Sequence, residues 1–282
     1  MARHTPLSAP AELIRRYDHD RFLTVLFAPA EQREALFALY AFNLEVAKTR
    51  EVVSEPLLGQ IRLQWWREAI GEIYAGGGRR HQVIEPLARV IRAYDLPRAP
   101  FDRLIEARER DLEGTAPATL AALEDYAEAT GGGLVELALH ALSAAEPAAL
   151  DAGRSVGTAW ALTGLVRAVP FHARDRRQYL PAEVMAETRA SEQDLMALRP
   201  TAPLAAAVQQ LAEAARRHLA AARALRSDVP RAAVPALLPA TLADLFLDRL
   251  ARIGHDVLAR PVEIGTPRRQ LSLFLAAARG RY

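Results

Sequence analysis

The chain reads as an all-α protein, and three observations lead there. It is 51% hydrophobic but only 6% aromatic, and Ala, Leu, Arg and Glu dominate it; that mixture favours helix and disfavours sheet. Apolar residues recur at helical spacing along nearly its whole length. Pro and Gly fall between those periodic stretches, where helices start and stop.

Taken in order, the first clear helix spans Ala30 to Val53, with Leu36, Leu39, Tyr40 and Asn43 on one side. Pro29 stands just before it, and Ser54-Glu55-Pro56 ends it and opens the next. Leu57 to Tyr74 carries Ile61, Trp65, Ile70 and Ile73 and stops at Gly76-Gly77-Gly78. Further helices are expected at Val83–Tyr94, Phe101–Leu112, Leu120–Ala129, Leu134–Ser143 and Ala148–Val169. Pro97, Pro100, Pro117 and a turn at Gly131–Gly133 separate several of them. A less regular stretch is expected from Pro170 to Leu180. A short helix near Ala182–Glu187 follows, then a long one near Leu204–Arg226, and two more near Ala232–Ile253 and Arg268–Arg279.

A chain of 282 residues can bury a large core. No linker is long or polar enough to divide it, so residues 1–282 are expected to form one domain. The formal charge is +2, from 36 basic and 34 acidic residues, which gives no global reason to expect nucleic acid as a partner. The absence of cysteine excludes disulfides, thiolate metal sites and a cysteine nucleophile. No apolar run approaches the roughly 18–20 residues that span a bilayer. Met1 to Pro10 lack the apolar core of a signal peptide. The expected location is cytoplasmic, with peripheral contact at the inner membrane left open.

Two segments carry more than fold class. Tyr40-Ala41-Phe42-Asn43-Leu44-Glu45-Val46-Ala47-Lys48-Thr49-Arg50-Glu51 and Arg167-Ala168-Val169-Pro170-Phe171-His172, closing on Tyr179-Leu180-Pro181, resemble the two Asp-rich motifs of the squalene/phytoene synthase family. Leu63-Gln64-Trp65-Trp66-Arg67-Glu68, Asp111-Leu112 and Asp125-Tyr126-Ala127 match further anchors in the same order. The resemblance covers roughly the whole chain. It implies a single-domain, terpenoid-synthase-like helical bundle around a central cavity.

In active members of that family the aspartates hold Mg²⁺ against a prenyl diphosphate. Mg²⁺ takes hard oxygen ligands, and carboxylates one helical turn apart share a face from which to supply them. The metal then stabilises the departing pyrophosphate. Here the frames survive without the acids. The first motif's paired Asp positions fall on Ala47 and Lys48, with Glu51 at the following acid, and the second motif's fall on Ala168 and His172. Alanine offers no ligand, and the Lys48 ammonium would repel a divalent cation. Pro170 is expected to interrupt the second motif's helix. The resemblance therefore implies no catalytic residues and no metal site or cofactor, Mg²⁺ returning only if the chain is a prenyl-diphosphate transferase with altered ligands.

The pattern of replacement closely resembles one branch of the family, the mitochondrial complex I assembly factor 6. That branch implies a non-catalytic role, with complex I subunits or other assembly factors as partners. An isoprenoid or lipid carrier is a further alternative. Tyr40, Asn43, Glu45, Lys48, Asp111, Arg167, Arg174 and Tyr179 are the candidate cavity or ligand-binding residues. Lys48, Arg167 and Arg174 are expected to make the mouth positive, where Arg forks would suit an anionic headgroup.

Plainer roles compete with these. Asp111 lies among Glu106, Arg108, Glu109 and Arg110, which reads as a solvated salt-bridge face. Lys48 and Arg50 are placed to neutralise Glu45 and Glu51. One of Trp65 and Trp66 is expected in the core and the other at a surface. Arg174, Arg176 and Arg177 suit a basic solvated loop equally well.

Overall fold

A computed structural model describes residues 7–53 and 55–282. Ser54 and the first six residues of the Met1 to Pro10 segment lie outside the described residues. The helices, in chain order, are α1 (Ala9–Tyr17), α2 (His19–Val25), α3 (Arg33–Ala47), α4 (Thr49–Val52), α5 (Pro56–Tyr74), α6 (Ile84–Tyr94), α7 (Ala99–Ala107), α8 (Arg110–Glu113) and α9 (Leu120–Ala127). They continue with α10 (Gly133–Ala141), α11 (Pro147–Arg174), α12 (Ala182–Thr188), α13 (Glu192–Met196), α14 (Ala202–Ala224), α15 (Val234–Leu237), α16 (Pro239–Arg252) and α17 (Thr266–Ala278). No strand occurs among the described residues. The described residues are all-α, as the composition and periodicity predict.

The core is built around α3 and α11. Residues Ala35 to Asn43 are buried without a break, so α3 has no solvent face over two turns. Phe42 meets Trp66 of α5 and Phe101 of α7 edge to face, with ring centroids 5.6 and 5.3 Å apart. Each such ring contributes about 2–3 kcal/mol through burial alone. Trp65 is the half-buried member of its pair, standing edge-on to Trp66 at 5.0 Å, as expected of adjacent tryptophans. The 28-residue α11 packs along α14 and across α10 and α16.

Four expectations change. The helix expected over Ala30–Val53 is interrupted at Lys48, where α3 ends and α4 begins. The helix expected over Phe101–Leu112 is divided at Arg108 and Glu109. Gly131–Gly133 is no turn, because residues Glu128–Gly132 form a π-helical segment that carries α9 directly into α10. The glycines serve close packing against α11: a Cβ on Gly131 would lie 2.2 Å from the Gly157 carbonyl oxygen, and one on Gly157 would lie 2.3 Å from that of Gly131. Only two glycines let these backbones touch.

The fourth correction matters most. Pro170 does not interrupt the second motif, since α11 runs through it to Arg174. Proline removes one hydrogen bond and crowds the preceding turn, costing roughly 3 kcal/mol in a helix interior. Burial of Val166, Val169 and Ala173 on the same helix offsets that cost. Ala168 and His172 therefore stand one turn apart on a continuous helix. The amino-terminal pair α1 and α2, for which no periodicity was resolved in the sequence, pack on α3. Ser8 and Asp18 cap them by accepting the amides of Ala11 and Arg21.

Candidate functional site

The first motif ends α3. Tyr40 and Asn43 are buried in the bundle. The Arg21 guanidinium lies 5.5 Å from the Tyr40 ring centre, and burial pushes that phenol up to about 12. Glu45 accepts a 2.9 Å hydrogen bond from Arg62 of α5, so Lys48 and Arg50 are not its partners. Ala47 is half-buried, and the Lys48 ammonium sits 3.6 Å from the centre of the Tyr17 ring. Glu51 is exposed on α4, within the field of Arg177.

The second motif lies on α11. Arg167 stacks its guanidinium 3.5 Å from the Phe246 ring centre and pairs with Asp20 at 3.6 Å. Asp20 also accepts a hydrogen bond from Arg269 of α17, so one carboxylate serves two arginines. Burial lowers Arg167 from its ordinary value, and the Asp20 charge opposes that fall.

His172 projects toward a second cluster. Its ring centre lies 4.5 Å from that of Tyr179. Burial, then the Arg177 charge, lower the imidazole to about 4. It is therefore neutral near pH 7, and its Nδ1 is buried without a hydrogen-bond partner.

Asp111 corrects the sequence reading: it is no solvated ion pair. Only 9% exposed, it accepts hydrogen bonds from the Tyr179 and Tyr126 hydroxyls at 2.8 and 2.9 Å and pairs with Arg108 at 3.3 Å. Arg108 also donates to the Tyr126 oxygen at 2.6 Å. Burial raises the phenols of Tyr126 and Tyr179. The same burial works against the Arg108 charge, but the surrounding oxygens outweigh it. The break after α7 makes this cluster, because it turns Arg108 and Asp111 inward from a sequence run that looks uniformly solvated.

Ala168 opens instead onto a cleft of about 600 Å³ between α11 and residues 257–263. Arg167, Phe171 and Arg174 line it from α11, and Arg260, Val262 and Glu263 from the facing loop. Phe171 is 64% exposed, with the Arg174 guanidinium 5.6 Å from its ring centre. The cleft thus combines apolar surface with three arginines and one acid. Lys48 is committed to Tyr17 and does not line it, so the positive mouth predicted from Lys48, Arg167 and Arg174 includes only the two arginines. Arg177 ion-pairs with Asp175 at 2.5 Å.

A multinuclear magnesium site needs several convergent carboxylates. Among the described residues, no three His, Cys, Asp or Glu side chains stand together in a way that could hold an ion. Asp20 is held by two arginines and Asp111 by two tyrosines and an arginine. These residues do not fit the metal cluster of the family's active members.

Sequence reasoning missed Asp20, Arg108, Tyr126, Arg260 and Arg269. Tyr126 stood within a recognised anchor, Asp125-Tyr126-Ala127, but its hydroxyl became informative only once Asp111 was placed beside it. Asp20 and Arg269 lie at opposite ends of the chain, and no local pattern joins them.

Comparison with known proteins agrees with this geometry. The squalene/phytoene synthase family model matches residues 14–271. Curated relatives named NADH dehydrogenase (ubiquinone) complex I, assembly factor 6 match over 96% of this chain and 81% of their own length, at 30% identity in Mus musculus and 28% in Homo sapiens. Presqualene diphosphate synthase of Rhodopseudomonas palustris is 25% identical, covering 84% of this chain and 85% of that protein. Among solved structures, a dehydrosqualene synthase in complex with ligand superposes with a TM-score of 0.83 at 18% identity, covering 96% of this chain and 94% of that one. A squalene synthase from Alicyclobacillus acidocaldarius gives 0.77 at 22% identity, covering 88% and 93%. The chain belongs to the squalene/phytoene synthase family.

Proposed function

We propose that this chain is a non-catalytic member of its family that acts as an assembly factor for respiratory complex I. The observation that carries the reading is the likeness, over 96% of this chain, to proteins named for that role, joined to the loss of acids at Ala47, Lys48, Ala168 and His172. Its partners are complex I subunits or other assembly factors. It works without a metal cofactor. Affinity capture of the tagged protein from its own cells, followed by identification of bound proteins, tests this. Recovery of complex I subunits supports it, and a normal level of assembled complex I after deletion of the gene contradicts it.

A second reading concerns the cleft beside Ala168. Three arginines around an apolar floor favour an amphiphile with an anionic head, held by charge-assisted hydrogen bonds. A lipid or isoprenoid bound there would need no magnesium to neutralise it. Binding of farnesyl diphosphate should then be unchanged by EDTA and weakened by salt. A strict magnesium requirement would favour the prenyl-diphosphate transferase alternative instead.

A further inference from the structure

The strongest feature outside the motif region is α17. Leu271, Phe274 and Leu275 are 60%, 59% and 38% exposed, although each is large and apolar. Their i, i+3, i+4 spacing puts them on one face of the helix, and exposed Ala278 extends the stripe by another turn. The opposite side is anchored: Leu273 is fully buried, and Arg269 binds Asp20 of α2 and Thr266 Oγ1. The helix is therefore fixed to the fold with an apolar stripe turned outward.

Charge decides what that stripe fits. From Ile264 to Tyr282 the chain holds four arginines and no Asp or Glu. Arg268 and Arg279 are exposed and eleven residues apart, three turns of helix, so they flank the same edge of the stripe. Arg281 follows, also exposed. An outward apolar stripe with arginines along one edge and no acid on its own helix, the neighbouring Asp244 being paired with Arg223, matches the interface of an anionic bilayer, where apolar side chains enter the acyl boundary and cations meet headgroups. A second copy of the chain suits it less, because two such faces packed together would set arginine against arginine. No helix among the described residues is long and apolar enough to cross a membrane, so contact through α17 is peripheral.

The geometry points to α17 as a docking surface for anionic lipid bilayers, formed by Leu271, Phe274, Leu275, Arg268 and Arg279. This does not depend on the assembly role or on the cleft. The test is co-flotation of the full chain with phosphatidylcholine vesicles containing either no anionic lipid or about 30% phosphatidylglycerol. Wild type should float with the anionic vesicles and lose several-fold of that binding between 0.15 and 0.5 M salt, as on the order of one Debye length separates cations from headgroups. Leu271→Ser with Phe274→Ser should weaken it about tenfold or more, following the lost apolar burial. Arg268→Gln with Arg279→Gln should weaken it by on the order of tenfold, on anionic vesicles only. All four positions are exposed, so circular dichroism should report unchanged folding.

The cysteine-free sequence supplies a direct reading of orientation. A single cysteine at exposed Ala278, labelled with an environment-sensitive fluorophore, should brighten and shift blue on anionic vesicles. The same label at exposed Ala221 of α14 should not. Equal binding by the Leu271→Ser/Phe274→Ser protein, absence of binding to any vesicle, or equal response at both labels would overturn the assignment. So would a dimer in solution that Phe274→Ser dissolves, which would make the face an interface between copies.

Discussion

Two polar clusters flank the carboxyl-terminal half of α11, and they differ in what surrounds their acid. Asp111 is enclosed by Tyr126, Tyr179 and Arg108, with the neutral His172 ring behind Tyr179. Asp20 joins three helices through Arg167 and Arg269, and Arg167 lines the open cleft. Both clusters centre on an aspartate only 9% exposed and paired with arginine, but two tyrosine hydroxyls complete one and a second arginine completes the other. The enclosed one is committed to holding α8, α9 and the Tyr179 segment together. The open one keeps cations at a surface that a ligand can reach. With both acids equally buried, the difference lies in their partners: Arg167 reaches the open cleft, and no partner of Asp111 does.

The largest break in this comparison is Asp111→Ala. It leaves the Arg108 guanidinium buried without its acid and two tyrosine hydroxyls without their acceptor. Removing one partner of a buried pair costs about 3–5 kcal/mol, and urea unfolding should show a loss of that size. A loss under about 1 kcal/mol would mean that the cluster is wetter than its burial implies. Asp20→Asn should behave differently. Stability should fall by about 1.5–3 kcal/mol, as for hydrogen bonds to charged groups, because the retained amide oxygen can still accept from an arginine. The freed Arg167 should strengthen farnesyl diphosphate binding several-fold at low salt, measured by calorimetry. Weaker binding would show that Asp20 orients Arg167 for the ligand.

Much of this was legible in the sequence. Helix content, element order and family frame followed from periodicity, punctuation and the two motif segments. The buried tryptophan partner was foreseen from the usual split of such pairs. Pro170 was misjudged because a local rule about proline ignored how firmly α11 is held by its neighbours. Gly131–Gly133 looked like a turn because the reason for those glycines, the backbone of Gly157, lies 26 positions away. Asp111 looked solvated because its run of charges hides the break after Ala107 that turns Arg108 and Asp111 inward. The partner that shows Asp111 to be enclosed, Tyr179, is 68 positions away.

Smaller effects sharpen the picture. Pro170→Ala should stabilise the protein by about 2 kcal/mol, the roughly 3 kcal/mol cost of an interior proline less about 1 kcal/mol for a looser unfolded chain. Destabilisation would show that the proline ring itself packs usefully against the cleft. His172 should leave a mark on pH dependence. Its folded value is lowered to about 4, below the 6.5 of an unperturbed histidine. The unfolded chain therefore takes up a proton first as pH falls. Stability contributed by the neutral ring is fully present above about 6.5 and is lost progressively down to about 4. His172→Phe keeps a ring against Tyr179 and removes the titration. It should flatten the stability profile between pH 7 and 5 by on the order of 1 kcal/mol, allowing for partial solvent screening. An unchanged slope would place that pH dependence elsewhere.

The central claim is that the family's fold persists here without its metal-dependent chemistry. The most direct measurement is pyrophosphate release from farnesyl diphosphate by the purified protein, with millimolar magnesium or with EDTA. The account predicts no release above a protein-free control in either condition. Magnesium-dependent release that disappears on Glu51→Ala would contradict it, because it would mean that one surviving carboxylate and its neighbours still assemble a working metal site.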